Sequence, residues 1–207
     1  MSNHLVIKDG ACGEIVVKKS RFIAELKYVE TEEEATTFIK EKKKQYHDAR
    51  HNCSCYIIGE ELKKSSDDGE PSGTAGRPML EVLEGKDLIN VVAVVTRYFG
   101  GVLLGTGGLV RAYQDAVKEA LLNCDFLHTV VVNKVNVTLD YSIWPKIENY
   151  CKEKGVVVGE VEFAENVKAK LKIRVDNTDK VIDDIIEITN GKGHIDKDDK
   201  EYTIFCD

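Results

Sequence analysis

The chain has 207 residues, 43% of them hydrophobic, and a formal net charge of −7. That is enough apolar material for one large or two small packed cores, while no apolar run approaches the length that crosses a membrane. The charge divides as −3 over residues 1–125 (17 basic, 20 acidic) and −4 over 126–207 (12 basic, 16 acidic), so neither half has the positive excess of a tight, nonspecific nucleic-acid binder.

The opening MSNHLVIKDG lacks the charged-then-apolar layout of a secretory signal. Residues 13–18 and 22–29 read as two strands joined by a KKSR turn. Thr31 then opens a helix. Its capping box Thr31-x-x-Glu34 and its apolar positions Ala35, Phe38 and Ile39 carry the helix to about Tyr46. The lysines of KEKKK at 40–44 read as a solvated helix face. An apolar strand follows at 53–58, and then comes the loop SSDDGEPSGTAGRP at 65–78, which has neither helical period nor enough apolar residues for a strand. Pro78 suits the first position of a short helix from Met79.

A strand over 90–99 leads into a glycine loop and a helix reaching about Cys124, with apolar positions Leu109, Ala112, Ala116, Ala120 and Leu121. Together these elements predict a sheet of about four strands with helices on one face. The glycines Gly100, Gly101, Gly105, Gly107 and Gly108 sit just ahead of a helix N-terminus, where free backbone N–H groups favour an anion. With Arg97 before the loop and Arg111 after it, residues 105–109 read as a cradle for a phosphate-type anion.

After Asp125 the pattern starts afresh. Alternation over 129–139, a helix over 142–154, strands over 156–163 and 168–175, a helix over 178–189 and a last strand at 202–206 give the order β-α-β-β-α-β. That is the order of the ferredoxin-like fold. The expected domains are 1–125 and 129–207, and the expected class is α+β. No pair of exposed aromatics for stacking bases is evident on the second sheet.

Of 29 basic residues only six are arginine, yet Arg21, Arg50, Arg77, Arg97 and Arg111 all fall within four polar clusters of the first 113 residues. A chain that otherwise uses lysine has placed its planar, bidentate cations there, as phosphate or carboxylate recognition requires. The bland alternative is that these arginines pair with Asp67, Asp68, Glu70 and Asp115 to pin loops. An enzyme could be assembled from His51 as base, Ser72 or Thr74 as nucleophile, Asp67 or Asp68 as orienting acid and the glycine loop as oxyanion cradle. No G-x-S-x-G elbow, phosphate-binding G-x-x-x-x-G-K-[ST] loop or H-E-x-x-H helix is present. His47, His51, Cys53 and Cys55 have no standard zinc spacing, so neither a metal nor a cofactor is expected. The six cysteines, including Cys12, Cys124, Cys151 and Cys206, are scattered as free thiols of a reducing compartment would be.

Four ordered segments, KKSRF at 18–22, DARHNC at 48–53, SDDGEPSGTAGRP at 66–78 and VVTRYFGGVLLGTGGLVRAY at 94–113, resemble the IMPACT family, the YigZ-like proteins of bacteria and their eukaryotic relatives. The resemblance implies a ribosomal protein S5 domain 2-like fold for the first domain. For the second it implies one similar to a C-terminal domain of elongation factor G. Nothing precedes the first domain here, which is the bacterial arrangement. It further implies a cytoplasmic, noncatalytic regulator of translation that binds RNA, the ribosome or a ribosome-associated protein. The surface expected to do so carries Arg21, Arg50, His51, Asp67, Asp68, Glu70, Arg77, Arg97, Arg111 and the glycines of the loop. The rival expectation is a hydrolase or transferase acting on a small phosphorylated or carboxylated substrate.

Overall fold

The computed structural model describes residues 4–204. The chain divides into two compact units, one of His4–His128 and one from Thr129 onward, and both mix helix and sheet. Among the described residues no helix is long and apolar enough to cross a membrane.

The N-terminal unit is built on five antiparallel strands in the order β2-β3-β6-β4-β5 (Ala11–Val17, Ser20–Tyr28, Val91–Tyr98, His51–Ile58 and Leu62–Ser66). A three-residue strand, β1 (Leu5–Ile7), pairs separately with the first residues of β7 (Phe126–Leu139). Strand β5 is absent from the sequence reading because LKKSS is an edge strand whose side chains alternate no apolar face.

Helices cover both faces of this sheet, not one. Phe22, Ala24, Val95, Ala93, Cys53 and Cys55 share a face by register and pack against α2 (Gly76–Glu84) and α3 (Thr106–Leu122). Val92, Val94 and Tyr56 point the other way, onto Ala35 and Phe38 of α1 (Glu32–Gln45). Two apolar faces explain why β4 and β6 are buried along almost their whole length.

Helix α1 starts at the expected N-cap, with the Glu34 carboxylate reaching back one residue further than a capping box requires. The Thr31 hydroxyl accepts from the Glu34 amide at 3.2 Å, and the Glu34 carboxylate accepts from the Glu30 amide at 2.8 Å. Glu32, Glu33 and Glu34 in its first turn and Lys42, Lys43 and Lys44 in its last complement the helix dipole. The lysine run is not merely solvated. Lys42 bonds the Glu25 carboxylate and lies 5.2 Å from the Phe38 ring centroid, and Lys43 reaches Asp68 at 2.6 Å.

Helix α2 begins at Gly76, which puts Pro78 at the third helical position instead of the first. The cause is a remote cap. The Asp67 carboxylate accepts from the amides of Gly73 (2.8 Å), Ala75 (3.0 Å) and Gly76 (2.8 Å), so the helix is started from nine residues upstream.

The C-terminal unit arranges its strands in the order β10-β7-β9-β8, all antiparallel. Helices α4 (Trp144–Lys154) and α5 (Thr178–Ile188) cover one face through Trp144, Ile147, Cys151, Val181 and Ile185. Strand β8 is Val157–Phe163 and β9 is Val167–Arg174. The last strand, β10, spans His194–Ile204 and is far longer than read from the sequence, because HIDKDDK pairs with β7 through a register shift between Lys197 and Lys200. The expected strand end at Cys206 lies outside the described residues. The five described cysteines are free.

The KKSR turn and the glycine loop are joined at Gly100. Lys18 and Lys19 take positive φ angles of 44° and 68°, as a two-residue hairpin with the twist of its strands requires. A Cβ on Gly100 would lie 2.0 Å from the Lys19 carbonyl carbon and 2.4 Å from the Ser20 nitrogen, and the Gly100 amide donates to the buried Ser20 hydroxyl at 3.1 Å. By contrast, Gly107 lies inside α3 and a Cβ there would meet nothing within 4 Å. Gly100→Ala therefore destabilises the N-terminal unit by about 3 kcal/mol through overpacking, whereas Gly107→Ala stabilises it by about 0.5–1 kcal/mol. Urea unfolding of the two variants checks both signs. Equal effects would contradict the contact assigned to Gly100.

Candidate functional site

The Arg97 guanidinium at the end of β6 is 5% exposed and donates from Nη1 to Glu70 Oε1 at 2.6 Å. The Tyr113 hydroxyl of α3 donates to the same oxygen at 2.8 Å. The guanidinium also lies 5.4 Å from the Phe22 ring centroid and 5.6 Å from that of Phe99. Glu70 is thus a buried carboxylate held by a cation and a phenol, and Arg97 a buried cation beside two aromatic rings. Burial first, then its neighbours Cys53 and Glu70, push the Tyr113 phenol far above its ordinary range, so it stays a donor.

His51, at the start of β4, sits beside this pair. Its Nδ1 donates to the Asp68 carbonyl at 2.8 Å, which leaves Nε2 facing Glu70 Oε2 at 3.8 Å. Asp68 takes φ 45° and Gly69 φ 85°, folding the acidic loop back over the strand end. The Asp68 carboxylate is spent on the Asn52 amide (2.7 Å) and Lys43 (2.6 Å).

Arg50, His51, Gly69, Glu70, Pro71, Arg97, Phe99, Leu103, Leu104, Gly105, Thr106 and Leu109 line a cleft of about 460 Å³. The two glycine-rich segments therefore meet, as walls of one cleft. Gly105, with φ 72°, ends the loop at the start of α3, which has neither a side-chain cap nor an acidic residue in its first turn.

The sequence-derived site residues separate in space. Arg50, His51, Glu70, Arg97 and Gly105 line the cleft. Asp67 and Asp68 stand behind it as loop anchors. Arg21 pairs with Tyr98 in register, on the opposite sheet face from Arg97, and makes two 2.7 Å bonds to Glu14. Arg77 binds Glu81 at 3.1 Å and Glu84 at 3.7 Å on α2. Arg111 is exposed and makes no ion pair among the described residues. Gly100 is required by the hairpin, and Gly101, Gly107 and Gly108 do not line the cleft.

The catalytic assembly weighed from the sequence does not form. Thr74 is buried and donates to the Pro71 carbonyl at 2.6 Å, Ser72 does not line the cleft, and no hydroxyl or thiol bonds to His51 Nε2 among the described residues. Cys53 and Cys55 are buried, and burial raises both thiols far above their usual range. Sequence reasoning missed Tyr113, Phe99, Leu103 and Leu104. Tyr113 was not among the apolar positions read for α3, and only its hydroxyl, which must find a partner when buried, could have singled it out.

Removing one partner of the Arg97–Glu70 pair leaves the other charge buried and alone. Arg97→Ala and Glu70→Ala each cost about 3–5 kcal/mol of stability, and the double variant costs much less than their sum. Chemical denaturation of the four proteins measures the coupling. Additivity would show that the pair is not an energetic unit.

Burial would raise the Asp67 carboxyl, but the Gly73, Gly76 and Ala75 amides outweigh it and hold the group below its ordinary value. A carboxylate lowered on folding stabilises above its unfolded pKa, and that stabilisation disappears as the pH falls through the folded value. Asp67→Asn costs about 1–2 kcal/mol at neutral pH, and the gap to the parent protein closes as the pH falls through the lowered value of the folded carboxyl. Stability curves at pH 7 and pH 2.5 check the closure.

Residues 18–121 match the Impact N-terminal domain, and residues 137–192 match a domain of unknown function, DUF1949. The chain is 42% identical over 204 residues to the IMPACT family member YvyE of Bacillus subtilis, covering 98% of this chain and 94% of that one. It is 36% identical over 196 residues to an IMPACT family member of Haemophilus influenzae, covering 93% and 95% of the two chains. It is also 47% identical over 109 residues to YigZ of Escherichia coli, covering 51% of this chain and 53% of that one. A solved structure titled only as a hypothetical protein aligns with TM-score 0.73 at 29% identity, over 94% of this chain and 97% of that one. The chain belongs to the IMPACT family.

Proposed function

We propose that the chain is a noncatalytic, cytoplasmic, translation-associated regulator whose N-terminal unit docks on RNA, the ribosome or a ribosome-associated protein. The association with translation comes from membership of the IMPACT family. The docking role rests on one observation about the cleft. It holds a histidine to which no hydroxyl or thiol bonds among the described residues, together with the side chain of Arg50 and the uncapped start of α3, which carry unused positive charge. Residues 105–109 would hold an anionic group of the partner. Arg50 and Arg111 supply the accessible charge, because Arg97 is neutralised by Glu70 and Arg21 and Arg77 are already paired.

The rival reading, a hydrolase or transferase for a small phosphorylated or carboxylated substrate, draws on the size of the cleft and on His51 beside Glu70. Against it, no hydroxyl or thiol bonds to the His51 ring among the described residues, although the Thr106 hydroxyl lines the same cleft. We also infer a ribosomal protein S5 domain 2-like fold for residues 1–125 and a ferredoxin-like fold for 129–207, each an independent domain. The β10-β7-β9-β8 order and the β-α-β-β-α-β succession support the second of these.

Co-sedimentation with ribosomes at two salt concentrations tests the docking role. The Arg50→Ala/Arg111→Ala variant lowers the bound fraction and flattens its dependence on salt, since each cation that meets a phosphate contributes about one unit to the salt slope. Arg21→Ala leaves binding unchanged. Should the double variant keep full binding and the same slope, the cleft is not the docking surface.

A further inference from the structure

Glu70 and His51 turn two hydrogen-bond acceptors towards each other on the wall of the cleft. The Glu70 side chain is only 3% exposed, and both side-chain donors that reach it, Arg97 Nη1 and the Tyr113 hydroxyl, use Oε1. Its Oε2 accepts no hydrogen bond among the described residues. A carbonyl can only accept, so the 2.8 Å bond to Asp68 puts the His51 proton on Nδ1 and leaves Nε2 of the neutral ring an acceptor too. Nε2 and Oε2 stand 3.8 Å apart, about 1 Å beyond a charge-assisted hydrogen bond. Two such lone pairs repel until a group with two hydrogens comes to both, and a buried acceptor left unsatisfied costs free energy.

The surface beside these acceptors shows the size of the missing donor. Phe99 is 45% and Leu103 82% exposed, and with Leu104 and Leu109 they give the cleft an apolar wall. The Phe99 ring and the Glu70 carboxylate rest against the same Arg97 guanidinium, at 5.6 Å and 2.6 Å, so the ring neighbours the acceptor pair. A water bridges two acceptors, but it covers no exposed ring or leucine. The cleft, of about 460 Å³, has the volume of a small-molecule site.

Charge and donor pattern then decide the class of ligand. Arg97 and Arg50 both line the cleft, so an ammonium or a second guanidinium is repelled and the donor is neutral. A primary amide sets its own carbonyl beside its one nitrogen. Adenine and cytosine set a ring acceptor beside the amino group, and uracil flanks its one N–H with carbonyls. Guanine alone of the common RNA bases offers two adjacent donors, N1–H and the N2 amino group, on a flat ring that stacks on aromatic side chains. We propose that the cleft takes one guanine nucleotide. The base donates to Glu70 Oε2 and His51 Nε2, its face lies against Phe99, and its phosphate meets Arg50, which makes no ion pair among the described residues. This inference rests on the docking cleft proposed above and names the group it receives. The nucleotide is either free or part of an RNA strand, and the test separates the two.

The test titrates the full ¹⁵N-labelled chain with guanosine, inosine and adenosine monophosphates and with the RNA heptamers UUUGUUU and UUUAUUU. Guanosine monophosphate shifts the amide resonances of His51, Glu70 and residues 99–106. It binds about tenfold tighter than the inosine nucleotide, which lacks only the N2 amino group, as loss of a hydrogen bond to a charged acceptor predicts. The adenosine nucleotide binds at least as weakly as the inosine one. Phe99→Ala weakens guanosine monophosphate by about tenfold, the loss of one stacked base, with a thermal melt confirming the fold. The nucleotide series needs no variant, so a misfolded protein cannot obscure it. Equal binding of the three mononucleotides, or shifts confined to residues outside the cleft, overturns the inference. So does silence of all five probes, in which case ribosome sedimentation still judges docking by itself. Equal shifts from the two heptamers with the mononucleotides silent replace base recognition by backbone contact, which overturns the inference and leaves docking standing. With the guanosine preference present, tighter binding of UUUGUUU than of UUUAUUU makes RNA the source, and silence of both heptamers makes it the free nucleotide.

Discussion

The N-terminal unit depends on a buried carboxylate that is never alone. Glu70 enters from the acidic loop, Arg97 from a central strand and Tyr113 from α3, and all meet at one oxygen. Desolvating both charges is costly, and their attraction offsets the cost only if the geometry is held. The surroundings hold it. Phe22 and Phe99 lie within cation–π distance of the guanidinium, and His51 fixes the loop backbone by bonding the Asp68 carbonyl. A loop that would otherwise lie loose on the surface is thereby fastened to the sheet at one end of its strands.

Asp67 and Asp68 extend the same logic outward. One starts α2 by accepting three backbone amides, and the other ties the strand carrying His51 to α1 through Lys43. The polar segments of this unit are thus mostly scaffold. What they leave unspent is concentrated in the cleft, in the Arg50 side chain and the first turn of α3, next to exposed Phe99 and Leu103. Docking would draw on the shape, charge and apolar contact that this cleft offers.

Much of this was legible in the chain. The Thr31 capping box placed α1, and alternation and helical spacing placed most elements of both units. Edge strand β5 and the early part of β10 were not legible, because their residues carry charge and alternate no apolar face. The covering of both sheet faces could have been read from β6, where Val91 to Val95 form one continuous apolar run, the pattern of a strand buried on both sides. At the site, arginine clustering marked the right loops but could not distinguish a structural guanidinium from an available one. That distinction rests on partners far away in sequence, 27 residues for Arg97 and Glu70, 43 for Glu70 and Tyr113. The glycine loop likewise mixed two causes. Gly100 is demanded by the backbone of Lys19, while nothing within the chain demands Gly107.

Hydrogen–deuterium exchange of the full chain, alone and with purified bacterial ribosomes, tests the proposed docking role of the cleft most directly. The account predicts slowed exchange over residues 99–109 and at Arg50 and His51, with the Glu14 and Arg21 hairpin unaffected. Protection confined to residues beyond 129, with the cleft exchanging as in the free chain, would contradict it.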